Sequence, residues 1–197
     1  MRVATLLLGV LLVFSASAFA QGPAGVGSEP GYLSFGDHAQ NVWQIAMGYQ
    51  YNRDNLIGSP FNTHGLNVSM TRFFGRWLGV EGQLGTGFFG TTGDTTVPPN
   101  LDAKSVFVGA GPRLAWRTRS RYEPWAHLVV GLEHYRFSQT AGVLGSNNAL
   151  AGAAGGGLDI YVLPHIAIRA EADAVGSRFF STNQRSFQIV GGVVFGF

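Results

Sequence analysis

The sequence predicts an all-β fold, an eight-stranded antiparallel up-and-down transmembrane β-barrel. Three observations lead there. Apolar residues alternate with small or polar ones in eight stretches between residues 42 and 197, the period of a strand with two unlike faces. The charged residues of those stretches share a face with the glycines rather than with the leucines. Aromatic residues gather near the stretch ends, where rings sit at membrane interfaces.

Composition narrows the alternatives. The chain has 197 residues, 29 of them glycine, with 13% aromatic and 12% charged residues. The charged share is about half the usual value. A net charge of +2 gives no support to nucleic-acid binding. Cysteine is absent, which excludes disulfides, thiolate metal sites and a lipidated cysteine. No window reaches the roughly 20 apolar residues of a transmembrane helix. Residues 1–20, MRVATLLLGVLLVFSASAFA, read as a signal peptide: Arg2, an apolar run from Val3 to Phe14, and a small-x-small site at Ala18-Phe19-Ala20. The expected mature chain begins at Gln21. Residues 21–41, rich in Gly and Pro without a steady period, read as a periplasmic lead-in segment.

The barrel, residues 42–197, then proceeds strand by strand. In the first, Trp43, Ile45, Met47, Tyr49 and Tyr51 oppose Gln44, Ala46, Gly48 and Gln50. The second sets Leu66, Val68 and Met70 against Asn67, Ser69 and Thr71. In the third, Leu78, Val80, Leu84 and Phe88 oppose Gly79, Glu81, Gln83, Gly85 and Gly87. Strand four sets Val106, Val108, Ala110 and Leu114 against Gly109, Gly111, Arg113 and Ala115. The fifth sets Leu128, Val130 and Leu132 against His127, Gly131, Glu133 and Tyr135. ALAGAAGGGLDIY, the sixth, could be an alanine-rich helix, but three successive glycines would cost a helix about 1 kcal/mol each. The seventh sets Ile166, Ile168, Ala170 and Ala172 against Arg169, Glu171 and Asp173. The last, SFQIVGGVVFGF, sets Phe187, Ile189, Val193, Phe195 and Phe197 against Ser186, Gln188, Gly192 and Gly196.

Connections after even strands are short (FGRW, RTRSRYEP, LPH). Those after odd strands look longer: RDNLIGSPFNT, GTTGDTTVPPNLDAK, FSQTAGVLGSNN and GSRFFSTNQR. Short periplasmic turns and longer external loops organise outer-membrane barrels. A soluble barrel would show its charged face to water, but a water-exposed face has no need of so much glycine. A narrow interior does need small residues and paired charges. Up-and-down topology also brings Trp43, Trp77, Trp116 and Trp125 to one rim, a periplasmic aromatic girdle joined by Phe74, Tyr161, Phe195 and Phe197. Tyr51, Phe88, Phe89, Phe137, Phe179 and Phe180 fall at the other rim.

The final strand, alternating hydrophobics that end on Phe, resembles the C-terminal signature of bacterial outer-membrane proteins. That likeness implies recognition by the barrel-assembly machinery through Val193, Phe195 and Phe197. FFGRWLGVEGQLG, GAGPRL and GGGLDI…AIRAEAD make residues 42–197 resemble the OmpA-like outer-membrane β-barrel domain. OmpA continues into a peptidoglycan-binding domain; the expectation here is a barrel without one.

Glu81, Arg113, Glu133, Asp159, Arg169, Glu171 and Asp173 are expected inside the barrel. Buried charges must be paired, and Asp159–Arg169 and Glu81–Arg113 are the expected pairs of one network. Eight strands leave room for side chains, not a wide channel, so the network reads as a plug. A narrow gated pore is the alternative, cation-preferring because five acids face two arginines. A lipid A-modifying enzyme would want a His-x-Ser pair, and none of His38, His64, His127, His134 or His165 has one. Each histidine is expected to be solvated or at a rim.

No cofactor is expected. Asp94 and Asp102 lack metal-ligand spacing. Asn67-Val68-Ser69 matches a glycosylation acceptor inside a membrane strand, and the glycine runs lack the Gly-Lys-Ser/Thr of a phosphate loop. The expected protein is a monomer in contact with outer-membrane lipids, with a structural or surface-interaction role through four external loops.

Overall fold

The computed structural model describes residues 35–56, 59–92, 102–139, 142–179 and 182–197. The expected signal peptide and most of the lead-in segment lie outside them. A 3-10 helix, Phe35–Gln40, is followed by eight strands: β1 Trp43–Leu56, β2 Ser59–Phe73, β3 Leu78–Thr92, β4 Asp102–Ala115, β5 Tyr122–Gln139, β6 Gly142–Leu163, β7 Ile166–Phe179 and β8 Thr182–Gly196. Each pairs antiparallel with its neighbour in sequence, and β1 pairs with β8 to close the barrel. The seam is sealed at its lower end by reciprocal bonds: Trp43 N–H donates to Phe197 O at 2.8 Å and Phe197 N–H to Trp43 O at 2.9 Å. Closure removes the sheet edges that lipid could not satisfy.

Alternation places the faces. Leu66, Leu128, Leu132, Leu150 and Ile168 are each more than half exposed on the outside. On the inner face Gln44, Thr71, Glu81, Arg113 and Asp159 are almost wholly buried. An apolar belt around a charged interior is the inverse of a soluble barrel and needs a hydrocarbon solvent. β6 is a strand of 22 residues, as its glycines require. Gly157 stands opposite Trp125. A Cβ there would lie 2.7 Å from Trp125 Cζ2, so the missing side chain makes room for the indole. Gly155 does the same for Asp173.

The short connections are as expected: Phe74–Trp77, residues 116–121, and Pro164–His165. The long ones are not. RDNLIGSPFNT, FSQTAGVLGSNN and GSRFFSTNQR are largely strand, leaving residues 57–58, 140–141 and 180–181 between strands. Of GTTGDTTVPPNLDAK, residues 93–101 lie outside the described residues. Strands of 14 to 22 residues exceed the 9–11 or so that cross a bilayer. With the short turns at the other end, the surplus projects outward as β-ribbon. Backbone ladders pair these residues whatever their side chains, so strand forms there without an alternation signal.

The lead-in expectation also needs correcting. Its last part, the 3-10 helix at Phe35–Gln40 with Asn41, belongs to the barrel. His38 stacks on Tyr161 with ring centroids 4.0 Å apart, and its carbonyl accepts from Arg117 Nη2.

Candidate functional site in the barrel interior

The inward side chains form three levels. The lowest closes the mouth at the short-turn end. Arg117 follows β4 and turns inward; its Nε donates to Glu123 Oε2 at 3.2 Å and its guanidinium lies 4.2 Å from the Phe73 ring centroid. Gln44 Nε2 donates to Glu123 Oε1 at 3.0 Å and to Tyr161 Oη at 2.7 Å.

The middle level holds most of the charge. Register sets Asp159 opposite Arg169, and Arg169 Nε and Nη2 grip its two carboxylate oxygens, both at 2.8 Å. This bidentate fork is the strong form of the pair. Arg113 Nη1 donates to Glu81 Oε2 at 2.7 Å, and its Nη2 to Asp159 Oδ2 at 3.0 Å. One guanidinium therefore joins the Glu81 and Asp159 pairs across the lumen. Trp125 sits between the arginines, 3.9 Å from Arg113 and 4.7 Å from Arg169 by its ring centroid. Its Nε1 donates to Asp159 Oδ1 at 3.1 Å. Thr71 and Ser69 supply hydroxyls to Glu81 and Arg169.

His127 spans the level. Its Nδ1 is 3.1 Å from Glu81 Oε1, and its Nε2 is 3.0 Å from Asp173 Oδ1. Glu171 Oε1 accepts from Gln83 Nε2 at 3.4 Å, and its Oε2 lies 3.9 Å from Arg169 Nη1. Gln188 Nε2 donates to Asp173 Oδ2 at 3.4 Å. Above this, Gln50, Gln83, Ser105, Glu133 and Gln188 line a cavity of about 20 Å³, room for about one water by the same measure. Glu133 thus lies inside but one level above the other acids.

Several expected positions change. Trp125 is not part of the girdle, and neither is Tyr161; both rings are buried inside. Trp125 shares the parity of Glu123 and His127, which sets its direction whatever its height. Trp77 and Trp116 do stand outside at the rim, stacked 5.5 Å apart. Trp43 follows the outward parity but is only 9% exposed, with the Arg72 guanidinium 5.2 Å from its ring centroid. His38 and His127 are buried rather than solvated or at a rim, because carboxylates on neighbouring elements occupy the space around them. His64 meets Tyr49 Oη on the outer face, and His165 Nδ1 donates to Gly196 O. Asn67 points inward and is buried. Asp94, and the side chains of Asp102, Phe89, Phe137 and Phe179, lie outside the described residues, as does Phe180. Val193, Phe195 and Phe197 lie on the outer face.

Sequence reasoning missed Arg117, Glu123 and Gln44 as a second charged level. Arg117 and Glu123 sit in RTRSRYEP, a segment that reads as turn. Glu123 could have been found by extending the inward parity of His127 back by four residues.

A family model described as outer membrane protein beta-barrel domain matches residues 6–195. Among solved structures, neisserial surface protein A is 14% identical with a TM-score of 0.66, over 79% of this chain and 97% of its own. Ail, the attachment invasion locus protein of Yersinia pestis, in complex with the heparin analogue sucrose octasulfate, is 22% identical. Its TM-score is 0.54, over 78% of this chain and 97% of its own. OprG of Pseudomonas aeruginosa is 13% identical with a TM-score of 0.50, over 79% and 95%. At these identities the likeness is one of fold. No curated protein matches the chain in sequence.

Proposed function

We propose that this chain, which belongs to the outer membrane protein beta-barrel domain family, is a plugged, non-conducting barrel that presents a binding surface outside the cell. The observation that carries the reading is the bridge from Glu81 through Arg113 to Asp159 and Arg169 across the lumen. A conducting path would have to break that layer and the Arg117–Glu123 layer beneath it. The narrow cation-preferring pore is the competing reading. Planar-bilayer recording of folded protein decides between them. Silence is expected; discrete cation-selective steps altered by Arg113→Met would overturn the plug.

An enzymatic role finds little support in this interior. Both ring nitrogens of His127 face carboxylates, so neither is placed to activate a serine. The surface role draws on the outer ribbon. Arg53, Lys104, Arg136 and Arg185 are exposed near the outward ends of β1, β4, β5 and β8. Such a rim favours an anionic partner. Ail, a barrel of the same fold, has a structure with a heparin analogue. Cells displaying this protein are expected to adhere to immobilised heparin, and replacing the four basic residues by Gln should reduce adhesion. Equal adhesion would remove the anionic-partner reading while leaving the plug intact.

Export and assembly complete the proposal. Residues 1–20 direct export, and Val193, Phe195 and Phe197 are read by the assembly machinery. Amino-terminal sequencing of the outer-membrane form should return Gln21, and Phe197→Ser should lower its outer-membrane level.

A further inference from the structure

We propose that His127, Glu171 and Asp173 form an intramembrane binding site for one divalent transition-metal cation. Ligand atoms from the three side chains lie within 4.8 Å of one another, and all three residues are buried. One imidazole nitrogen with two carboxylate oxygens suits Zn²⁺, Mn²⁺ or Fe²⁺ rather than Ca²⁺, which takes oxygen alone. Bonds of 2.0–2.2 Å need ligand atoms roughly 3–3.5 Å apart. Side-chain torsions can supply that closure of up to roughly 1.3–1.8 Å.

Three further observations point to a cation. The first is charge. Glu81, Asp159, Glu171 and Asp173 bring four formal negative charges to this level, and Arg113 and Arg169 bring two positive. Carboxylates therefore outnumber guanidiniums four to two around the three ligand side chains. The second is the far side of the ring. His127 Nδ1 lies 3.1 Å from Glu81 Oε1, the carboxylate–histidine arrangement that orients a metal-binding imidazole. Nε2, 3.0 Å from Asp173 Oδ1, is the ring nitrogen that faces the carboxylate ligands. The third is Gln83. It is buried, its amide nitrogen rests on Glu171, and its carbonyl oxygen has no hydrogen-bond partner. That oxygen is an unpartnered acceptor on the residue whose amide nitrogen rests on Glu171, where a cation or its bound water could engage it. The cavity lined by Gln83, Glu133 and Gln188 supplies a polar approach from the outer side.

The test is a Zn²⁺ titration of the full folded barrel, stripped with chelator and followed by isothermal calorimetry. Its fold is first verified by heat-modifiable gel mobility. Saturable binding of one Zn²⁺ per chain is expected, undiminished by millimolar Ca²⁺. Glu171→Gln and Asp173→Asn should each weaken it about tenfold or more. Absence of saturable binding, or affinity unchanged in both variants, would overturn the site. If neither variant folds, zinc-edge X-ray absorption of the wild-type complex decides. A light-atom shell with a single imidazole supports the site. Two or more imidazoles would assign the metal to surface histidines such as His64, His134 and His165 and refute it.

Discussion

Replacing Arg113 by methionine tests whether the interior network holds the barrel together. Arg113 is fully buried, donates at 2.7 Å to Glu81 and 3.0 Å to Asp159, and lies 3.9 Å from the Trp125 ring centroid. Removing one member of a buried ion pair costs about 3–5 kcal/mol, since the other is left uncompensated. Here Asp159 keeps Arg169 and Trp125, and Glu81 keeps Thr71 and His127. The lower end, about 3 kcal/mol, therefore applies. With a urea slope of about 2 kcal/mol/M, the unfolding midpoint should fall by about 1.5 M. The assay is tryptophan fluorescence and heat-modifiable mobility in lipid vesicles. Adding Glu81→Gln to Arg113→Met removes the stranded charge, and about half of the loss should return. A midpoint for Arg113→Met within about 0.3 M of wild type, equivalent to roughly 0.6 kcal/mol, would refute the bridging role.

Single-tryptophan variants should separate the two tryptophan environments: brominated lipids should quench Trp77 and Trp116 but leave Trp125 bright. Quenching of Trp125 to the same depth would place its ring in lipid. Gly157→Val puts a Cβ 2.7 Å from Trp125 Cζ2 and closer still to Ala170 O; loss of the folded gel band is expected, and Trp125→Ala in the same chain should not restore it, because the closer clash is with backbone. Leu128→Arg, on the lipid face, should cost about 2–4 kcal/mol if Leu128 lies near the bilayer midplane. Urea midpoints in vesicles measure this, and a neutral effect would move Leu128 out of the hydrocarbon.

The membrane-embedded part of the fold was legible because lipid outside and side chains inside impose different chemistry on alternate residues. Leu66, Leu84 and Ile168 announce one face, and Asn67, Gln83 and Arg169 the other. Beyond the bilayer that difference vanishes. SNNA, residues 146–149, has the composition of a loop yet lies in β6, held by its ladder to β5. The charged network was legible as a set of inward acids and arginines. Its connections were not, because Arg113 reaches Asp159 past an intervening strand, a contact between residues far apart in sequence. Trp125 shows a clash of two signals. Its height near a rim suggests a girdle, while its parity points inward, and parity is the stronger constraint because it is fixed by the pleat.

The network also bears on the order of events during insertion. Its members come from β2, β3, β4, β5, β6, β7 and β8: Thr71, Glu81, Arg113, Trp125, Asp159, Arg169 and Gln188 among them. The β3–β4 and β6–β7 hairpins each close one pair, Glu81–Arg113 and Asp159–Arg169, but Arg113 also reaches Asp159 two strands away and His127 reaches Asp173 on β7. A half-built sheet would therefore carry stranded charges. Such an intermediate must keep its concave side wet until β1 meets β8, so dehydration of the lumen and closure of the seam form one cooperative step. The residues that block the finished barrel thus also decide when it can leave water.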